Sequence, residues 1–267
     1  MVSITINGRE IQTDKEDITL LQLARSNGIG IPTLCFHKAL LPYGACRLCV
    51  VEVTKGQNTK IVNSCAFPVR EDGISVETNT PRLKRIRKNI LEFLLARCPE
   101  VDMIKKMASG MGVKEKRLSE KQLPEEKKEE CILCGLCVRV CDEVIGKEAI
   151  SFVHRGADRE VAAPFYTHSR DCVGCTACHF VCPTGAVKVK ELGNKRFISP
   201  WNTEITLMTC EMCGISFAPE TSQGYLKAKL NMPAEWLKLC PECRRKVTAR
   251  DMSKFDATTS KKVILKK

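Results

Sequence analysis

Residues 131–141, Cys-Ile-Leu-Cys-Gly-Leu-Cys-Val-Arg-Val-Cys, and residues 172–183, Cys-Val-Gly-Cys-Thr-Ala-Cys-His-Phe-Val-Cys-Pro, repeat one cysteine spacing. Each reads Cys-x2-Cys-x2-Cys-x3-Cys, and the second closes on Pro183. Three thiolates at intervals of three residues can wrap one face of an iron–sulfur cubane, while the fourth reaches away to a neighbouring cluster. The ligand sets are therefore expected to cross. One [4Fe–4S] cluster takes Cys131, Cys134, Cys137 and Cys182, and the other takes Cys172, Cys175, Cys178 and Cys141. Zinc knuckles are the alternative, but they use cysteine pairs and leave the third and fourth cysteines of each run without a role. Asp142 stands in the first run where the second has Pro183, which alters the turn without removing a ligand.

Upstream lie Cys35, the pair Cys46-Arg47-Leu48-Cys49, and Cys65. A CxxC pair with two distant partners suits a [2Fe–2S] rhombus held by a loop and a strand. Gly44 and Ala45 leave room for backbone amides to approach the sulfides. A zinc site is the alternative. Downstream, Cys210-Glu211-Met212-Cys213 and Cys240-Pro241-Glu242-Cys243 form two knuckles that suit a four-cysteine zinc ribbon. Mononuclear iron of the rubredoxin kind uses similar pairs, although Ile215, Ser216 and Arg244 depart from that pattern. Cys98 is the one cysteine left over, read as a packing thiol at a helix junction or, alternatively, a reactive one.

The 17 cysteines sit in a chain of 267 residues with a net charge of +12. Such a length suggests about two domains, or more if they are small. Residues 244–267 hold nine basic and two acidic side chains, so much of the charge is a tail and the chain is not a uniformly basic nucleic-acid binder. Apolar stretches such as Ile90–Leu95 fall far short of the roughly 18 residues that span a bilayer. Met1 is followed by the alternating strand pattern Val2-Ser3-Ile4-Thr5-Ile6, with no secretory signal visible, and the expected location is the cytoplasm. Cysteines in a reducing compartment argue for metal sites over disulfides. With aromatic residues at 5%, small metal-stapled modules are expected in place of one large core.

Val2–Ile6 and Arg9–Thr13 flank Asn7-Gly8 and predict a hairpin with a type I′ turn. Thr19 caps a short helix that stops at Gly28, and strands are expected at 49–54, 61–66 and 74–77. Thr80-Pro81 opens a helix whose apolar face is Leu83, Ile86, Ile90, Phe93 and Leu94. A second helix is expected at 99–109, and Lys114–Glu130 reads as a solvated charge run. The fold class is α+β. The expected organisation is a [2Fe–2S] domain at 1–79, a helical linker at 80–128, a 2[4Fe–4S] ferredoxin domain at 129–195, a zinc-ribbon-like module at 205–248 and a basic tail at 249–267.

The segments Ile31-Pro32-Thr33-Leu34-Cys35-Phe36-His37 and Tyr43-Gly44-Ala45-Cys46-Arg47-Leu48-Cys49-Val50-Val51-Glu52-Val53 resemble the N-terminal β-grasp ferredoxin domain of three related families. These are the large peripheral subunit of respiratory NADH dehydrogenase, the small diaphorase-side subunit of NAD-linked hydrogenases, and the accessory region of iron-only hydrogenases. The following helix and the bacterial-type dicluster segment occur there in the same order, so the resemblance covers about residues 1–190. Those families usually carry one further [4Fe–4S] cluster on one His and three Cys after the long helix. Here no His lies between His37 and His154, and only Cys98 lies between Cys65 and Cys131, so that cluster is expected to be absent. His179, inside the second run, is read as a hydrogen-bonding neighbour.

No dinucleotide fingerprint, phosphate loop or nucleophile–base pair is present, so no catalytic residue is assigned. The expected cofactors are one [2Fe–2S], two [4Fe–4S] and one zinc, with mononuclear iron as the alternative to zinc. The function this implies is an electron-relay subunit, passing electrons between a flavin/NAD(P)-binding subunit and a catalytic oxidoreductase subunit such as a hydrogenase or formate dehydrogenase. The alternative is a redox-sensing regulatory protein that binds nucleic acid through its zinc ribbon and basic tail. Twelve cluster ligands in relay order are more than a sensor needs.

Overall fold

A computed structural model describes residues 1–14, 17–113, 130–230 and 234–253. Most of the charge run expected at 114–130, and the tail from 254 onward, lie outside the described residues. The chain divides into two compact units, one of residues 1–161 and 177–187 and one of residues 162–176 and 188–267.

The first unit begins with strands β1 (Val2–Ile6) and β2 (Arg9–Thr13), paired antiparallel from Val2↔Thr13 to Ile6↔Arg9. That register leaves Asn7 and Gly8 as a two-residue turn, with φ of +51° and +77° as a type I′ turn requires. Helix α1 (Leu20–Ser26) starts at a capping box, in which the Thr19 hydroxyl accepts from the Gln22 N–H and the Gln22 side chain accepts from the Thr19 N–H. Strands β3 (Val50–Lys55), β4 (Asn58–Asn63) and β5 (Ser75–Glu77) complete a mixed sheet of order β2-β1-β5-β3-β4. β1 and β5 run parallel at its centre, and the core against α1 contains Ile4, Ile6, Leu20, Leu21, Val51 and Val76. β4 starts three residues before its expected position. The β3–β4 register closes on Lys55↔Asn58, so Gly56-Gln57 is the turn and Cys65 falls in the loop beyond the strand.

Helix α2 (Pro81–Arg97) has its Thr80 cap, whose hydroxyl accepts from Leu83 N–H at 3.2 Å. Its buried face differs from the sequence expectation. Leu83, Arg87, Leu91 and Leu95 point inward, while Phe93 is 66% exposed. The inward residues repeat at intervals of four, so the contact stripe is rotated from the expected one and includes an arginine. Helix α3 (Asp102–Gly110) packs back on α2, and Cys98 at their junction is fully buried among Leu91, Leu95, Val101 and Ile104. Helix α4 (Leu136–Arg139) then runs into a π-helical turn at Val140–Ile145. Short strands β6 (Ser151–Val153) and β7 (Glu160–Ala162) pair with one another, and helix α5 (Ala177–Val181) follows.

The second unit is built on an antiparallel sheet of β8 (Lys188–Leu192), β9 (Lys195–Ser199), β10 (Thr203–Thr209) and β11 (Ser216–Pro219), in the order β11-β10-β9-β8. Helices α6 (Ser222–Leu230), α7 (Ala234–Leu237) and α8 (Pro241–Ser253) follow. The sheet runs across the boundaries expected at 195 and 205, and α8 carries helix into the segment expected as tail. The β8–β9 pairing makes Gly193-Asn194 a two-residue turn, which ties 188–199 to the C-terminal module.

Candidate metal centres

Cys35 lies beyond α1, Cys46 and Cys49 lie in the loop entering β3, and Cys65 follows β4. The Cys49 and Cys65 sulfurs are 3.3 Å apart. The Cys46 N–H donates to Cys35 Sγ at 3.3 Å, and the Leu34 N–H donates to Cys46 Sγ at 3.4 Å. Cys35, Cys49 and Cys65 are buried, and Cys46 is partly so. Two close pairs result. A hydrogen bond from the Cys35 thiol pulls Cys46 down to about 6, and one from the Cys65 thiol pulls Cys49 down to about 7. Their partners are pushed up by the same bonds and by burial. Each pair therefore sets a ready thiolate beside a thiol that would have to lose its proton for the pair to take a metal.

The first cysteine run opens the dicluster segment. Burial is the main cause raising Cys134, to about 11, with the charges of Cys131, Cys182 and Cys46 adding to it. Burial also raises Cys137, helped by Cys134, Cys131 and Cys178. At Cys182 burial works upward but is outweighed, because the Thr184 hydroxyl and the N–H groups of Val187, Thr184 and Ala186 hold that thiol below its ordinary value. Cys182 is thus near Cys134 although the sequence places it in the second run. His179 Nδ1 bonds to the Val187 carbonyl at 2.6 Å, the neighbour role expected for it.

The loops themselves carry strain of a telling kind. Within the CxxC segments Arg47, Leu133 and Thr176 have φ of +58°, +53° and +63°, and Gly135 and Gly174 are also left-handed. Positive φ is costly for non-glycine residues and most of all for β-branched Thr176. Alternation of this sort turns successive N–H groups toward one concavity, a cradle for anionic sulfur. Leu133 N–H donates to Cys131 Sγ and Ala149 N–H to Cys141 Sγ, both at 3.4 Å. The donor sets and these cradles fit iron–sulfur clusters.

A polar clasp fastens the loop before Cys46 to α4. The Leu41 N–H donates to Glu143 Oε2 at 2.8 Å, while Arg139 donates to the Leu41 carbonyl and to Glu143 Oε1, the latter at 2.8 Å. The Arg139 guanidinium also lies 5.3 Å from the Tyr43 ring centre. Beneath the clasp Cys35, Leu40, Cys134, Leu136 and Val140 form one apolar cluster, with Cys46 and Ile132 packed against it.

Cys172 and Cys175 belong to the second unit, and Cys141 and Cys178 to the first. Gly174 between the former pair has φ of +65°, and a Cβ there would sit 2.7 Å from Ile205 Cδ1 and 2.9 Å from Pro219 Cγ. Its carbonyl accepts from Arg196 Nη1 at 2.7 Å, which seats this cysteine loop on the second unit's sheet.

Cys210, Cys213, Cys240 and Cys243 bring their sulfurs within 4.8 Å of one another, enough to hold a metal ion. The Cys213 and Cys240 sulfurs are 3.7 Å apart, close to the ~3.8 Å edge of a tetrahedron with metal–sulfur bonds of about 2.3 Å. The Cys240 N–H, 3.3 Å from Cys210 Sγ, is the main cause drawing Cys210 down to about 6. Burial, with hydrogen bonding to Cys213, pushes Cys243 up to about 12.

These features define an iron–sulfur protein with a further four-cysteine site. Residues 1–81 match the 2Fe-2S iron–sulfur cluster binding domain family, and residues 130–186 match the 4Fe-4S dicluster domain family. The chain is related to the 75 kDa iron–sulfur subunit of NADH dehydrogenases and to NAD+-reducing hydrogenase. It is 35% identical over 232 residues to NADPH-Fe(3+) oxidoreductase subunit alpha of Geobacter sulfurreducens, covering 80% of this chain and 27% of that protein. It is 35% identical over 181 residues to the NADH-ubiquinone oxidoreductase 75 kDa subunit of Reclinomonas americana, covering 61% of this chain and 26% of that protein. Against a crystal structure of NAD+-reducing [NiFe]-hydrogenase in the H2-reduced state the TM-score is 0.52 at 28% identity, over 61% of this chain and 74% of that one. The chain thus matches only about a quarter of the length of these two curated relatives, 27% and 26%. Among the described residues no helix is long and apolar enough to cross a membrane.

Proposed function

We propose that the chain is an electron-relay subunit of a cytoplasmic multisubunit oxidoreductase, set between a flavin/NAD(P)-binding subunit and a catalytic subunit. Cys35, Cys46, Cys49 and Cys65 hold a [2Fe–2S] cluster in a β-grasp domain. Cys131, Cys134, Cys137 and Cys182 hold one [4Fe–4S] cluster, and Cys141, Cys172, Cys175 and Cys178 hold the other. Cys210, Cys213, Cys240 and Cys243 hold zinc in a ribbon-like module. When bound, such clusters take up and return single electrons with no bond made or broken in a substrate.

The observation that carries this reading is the nearness of Cys46 to Cys134 across the apolar cluster of Cys35, Leu40 and Leu136. The ligands of two centres thus share one dry contact. Buried leucines exclude water from it, and the Arg139–Glu143 clasp on Leu41 fixes the approach of the two loops. The route is drawn without a further cluster after α2, since no His lies between His37 and His154 and only Cys98 lies between Cys65 and Cys131.

The test is a division of labour. The purified full chain should pass electrons from dithionite to dyes yet fail to oxidise NAD(P)H, and affinity purification should bring down flavin-containing and catalytic subunits. NAD(P)H oxidation by the flavin-free polypeptide alone would refute the relay.

A further inference from the structure

Arg87 on α2 is only 4% exposed and carries a full charge into the core of the first unit. Its Nε donates to the Leu48 carbonyl at 3.0 Å, Nη1 to the Thr78 carbonyl at 2.9 Å and Nη2 to the Val50 carbonyl at 2.7 Å. Among the described residues it has no carboxylate partner, whereas Arg139, similarly buried, is paired with Glu143. A buried ion without a counterion is strongly destabilising. Neutral carbonyls satisfy the donors but supply no opposite charge. The Leu48 and Val50 carbonyls that Arg87 grips, one in the turn before β3 and one at its first residue, flank Cys49, and among the described residues the charge of the Cys49 sulfur acts on it against the burial that lowers the guanidinium pKa.

We propose that Arg87 is the internal counter-charge of the [2Fe–2S] centre: it sets that cluster's reduction potential and, through the Leu48 and Val50 carbonyls, the position of Cys49. The inference rests on the assignment of Cys35, Cys46, Cys49 and Cys65 as [2Fe–2S] ligands. A cluster on four thiolates is anionic and gains one further negative charge when an external donor such as dithionite reduces it by one electron. The guanidinium keeps its protons throughout, so no proton moves and the added charge is stabilised by a fixed cation. Net charge and hydrogen bonding around the cluster are the levers that set such potentials. Arg87 therefore favours the reduced form and raises the potential.

The experiment is an EPR-monitored potentiometric titration of the full chain with all clusters in place, comparing wild type, Arg87→Gln and Arg87→Lys. In Arg87→Gln the one-electron reduction equilibrium of the [2Fe–2S] centre should fall at least tenfold, a midpoint lower by about 59 mV or more, with both [4Fe–4S] midpoints unmoved. An unshifted [2Fe–2S] midpoint, or a common shift of all clusters, overturns the proposal. Arg87→Lys keeps the charge while losing the planar fork, and it decides the matter if Arg87→Gln fails to hold its cluster. A midpoint near wild type supports the counter-charge, and a tenfold loss overturns it in favour of hydrogen-bond geometry alone. A wild-type chain with no [2Fe–2S] signal would overturn the ligand assignment and the proposal together.

Discussion

Cys46 and Cys134, separated by 88 positions, meet at one apolar cluster, and the charge of the Cys46 sulfur contributes to raising the Cys134 thiol. Cys46 belongs to the candidate [2Fe–2S] set and Cys134 to the first [4Fe–4S] set. In the proposed relay, electrons pass across that contact.

Metal content comes first. Anaerobically purified chain should hold about ten iron atoms, two from a [2Fe–2S] and eight from two cubanes, together with one zinc. Iron near eight, with no rhombic [2Fe–2S] signal on reduction, would remove the N-terminal assignment.

Crossed ligation is tested at Cys182, whose charge acts on Cys134. Cys182→Ala should damage the cluster of Cys131, Cys134 and Cys137, although Cys182 belongs by sequence to the second run. Mössbauer or EPR spectra showing damage only to the other cubane would reverse the connectivity.

Gly174→Ala places a methyl under 3 Å from both Ile205 and Pro219 on a left-handed backbone. Overpacking costs about 1–3 kcal/mol, and the φ strain adds on the order of 1–2 kcal/mol. The variant should lose iron from the centre served by Cys172 and Cys175 and keep its [2Fe–2S] signal. Full iron retention in this variant would show that the close approach is not a constraint.

The four-cysteine site should bind metal more weakly as pH falls. Cys210, at about 6, is already a thiolate at neutral pH, whereas Cys243, pushed up to about 12, must release a proton on binding. Below pH 6 Cys210 also needs to be deprotonated, so zinc competition against a chromophoric chelator should show affinity dropping from pH 8 to 6 and more steeply below. A pH-independent affinity would contradict thiolate ligation.

Local signals made much of this legible in advance. The Asn7-Gly8 turn, the Thr19 and Thr80 caps and the cysteine runs are determined by neighbours within a few residues, and the structure places the turn and both caps as expected. The rest depends on distant packing. Which stripe of α2 faces inward is decided by Leu48 and the carbonyls beside Cys49, and without those contacts Arg87 reads as a solvated cation. The 83-87-91-95 spacing is the signal available. The β8–β9 hairpin has a local mark, Gly193-Asn194 between alternating strands, but cysteine spacing dominates the reading of that region.

In the proposed relay the [2Fe–2S] and first [4Fe–4S] centres lie side by side and exchange electrons within this chain. EPR of the fully dithionite-reduced protein tests it most directly, since two neighbouring paramagnets split or broaden each other's lines and speed their relaxation. The [2Fe–2S] signal should show this interaction in wild type, show it more weakly in Glu143→Ala, where the Leu41 N–H loses its acceptor and Arg139 its ion-pair partner, and lose it in Cys182→Ala. A fully reduced wild-type spectrum that is the plain sum of isolated, non-interacting clusters would contradict the account.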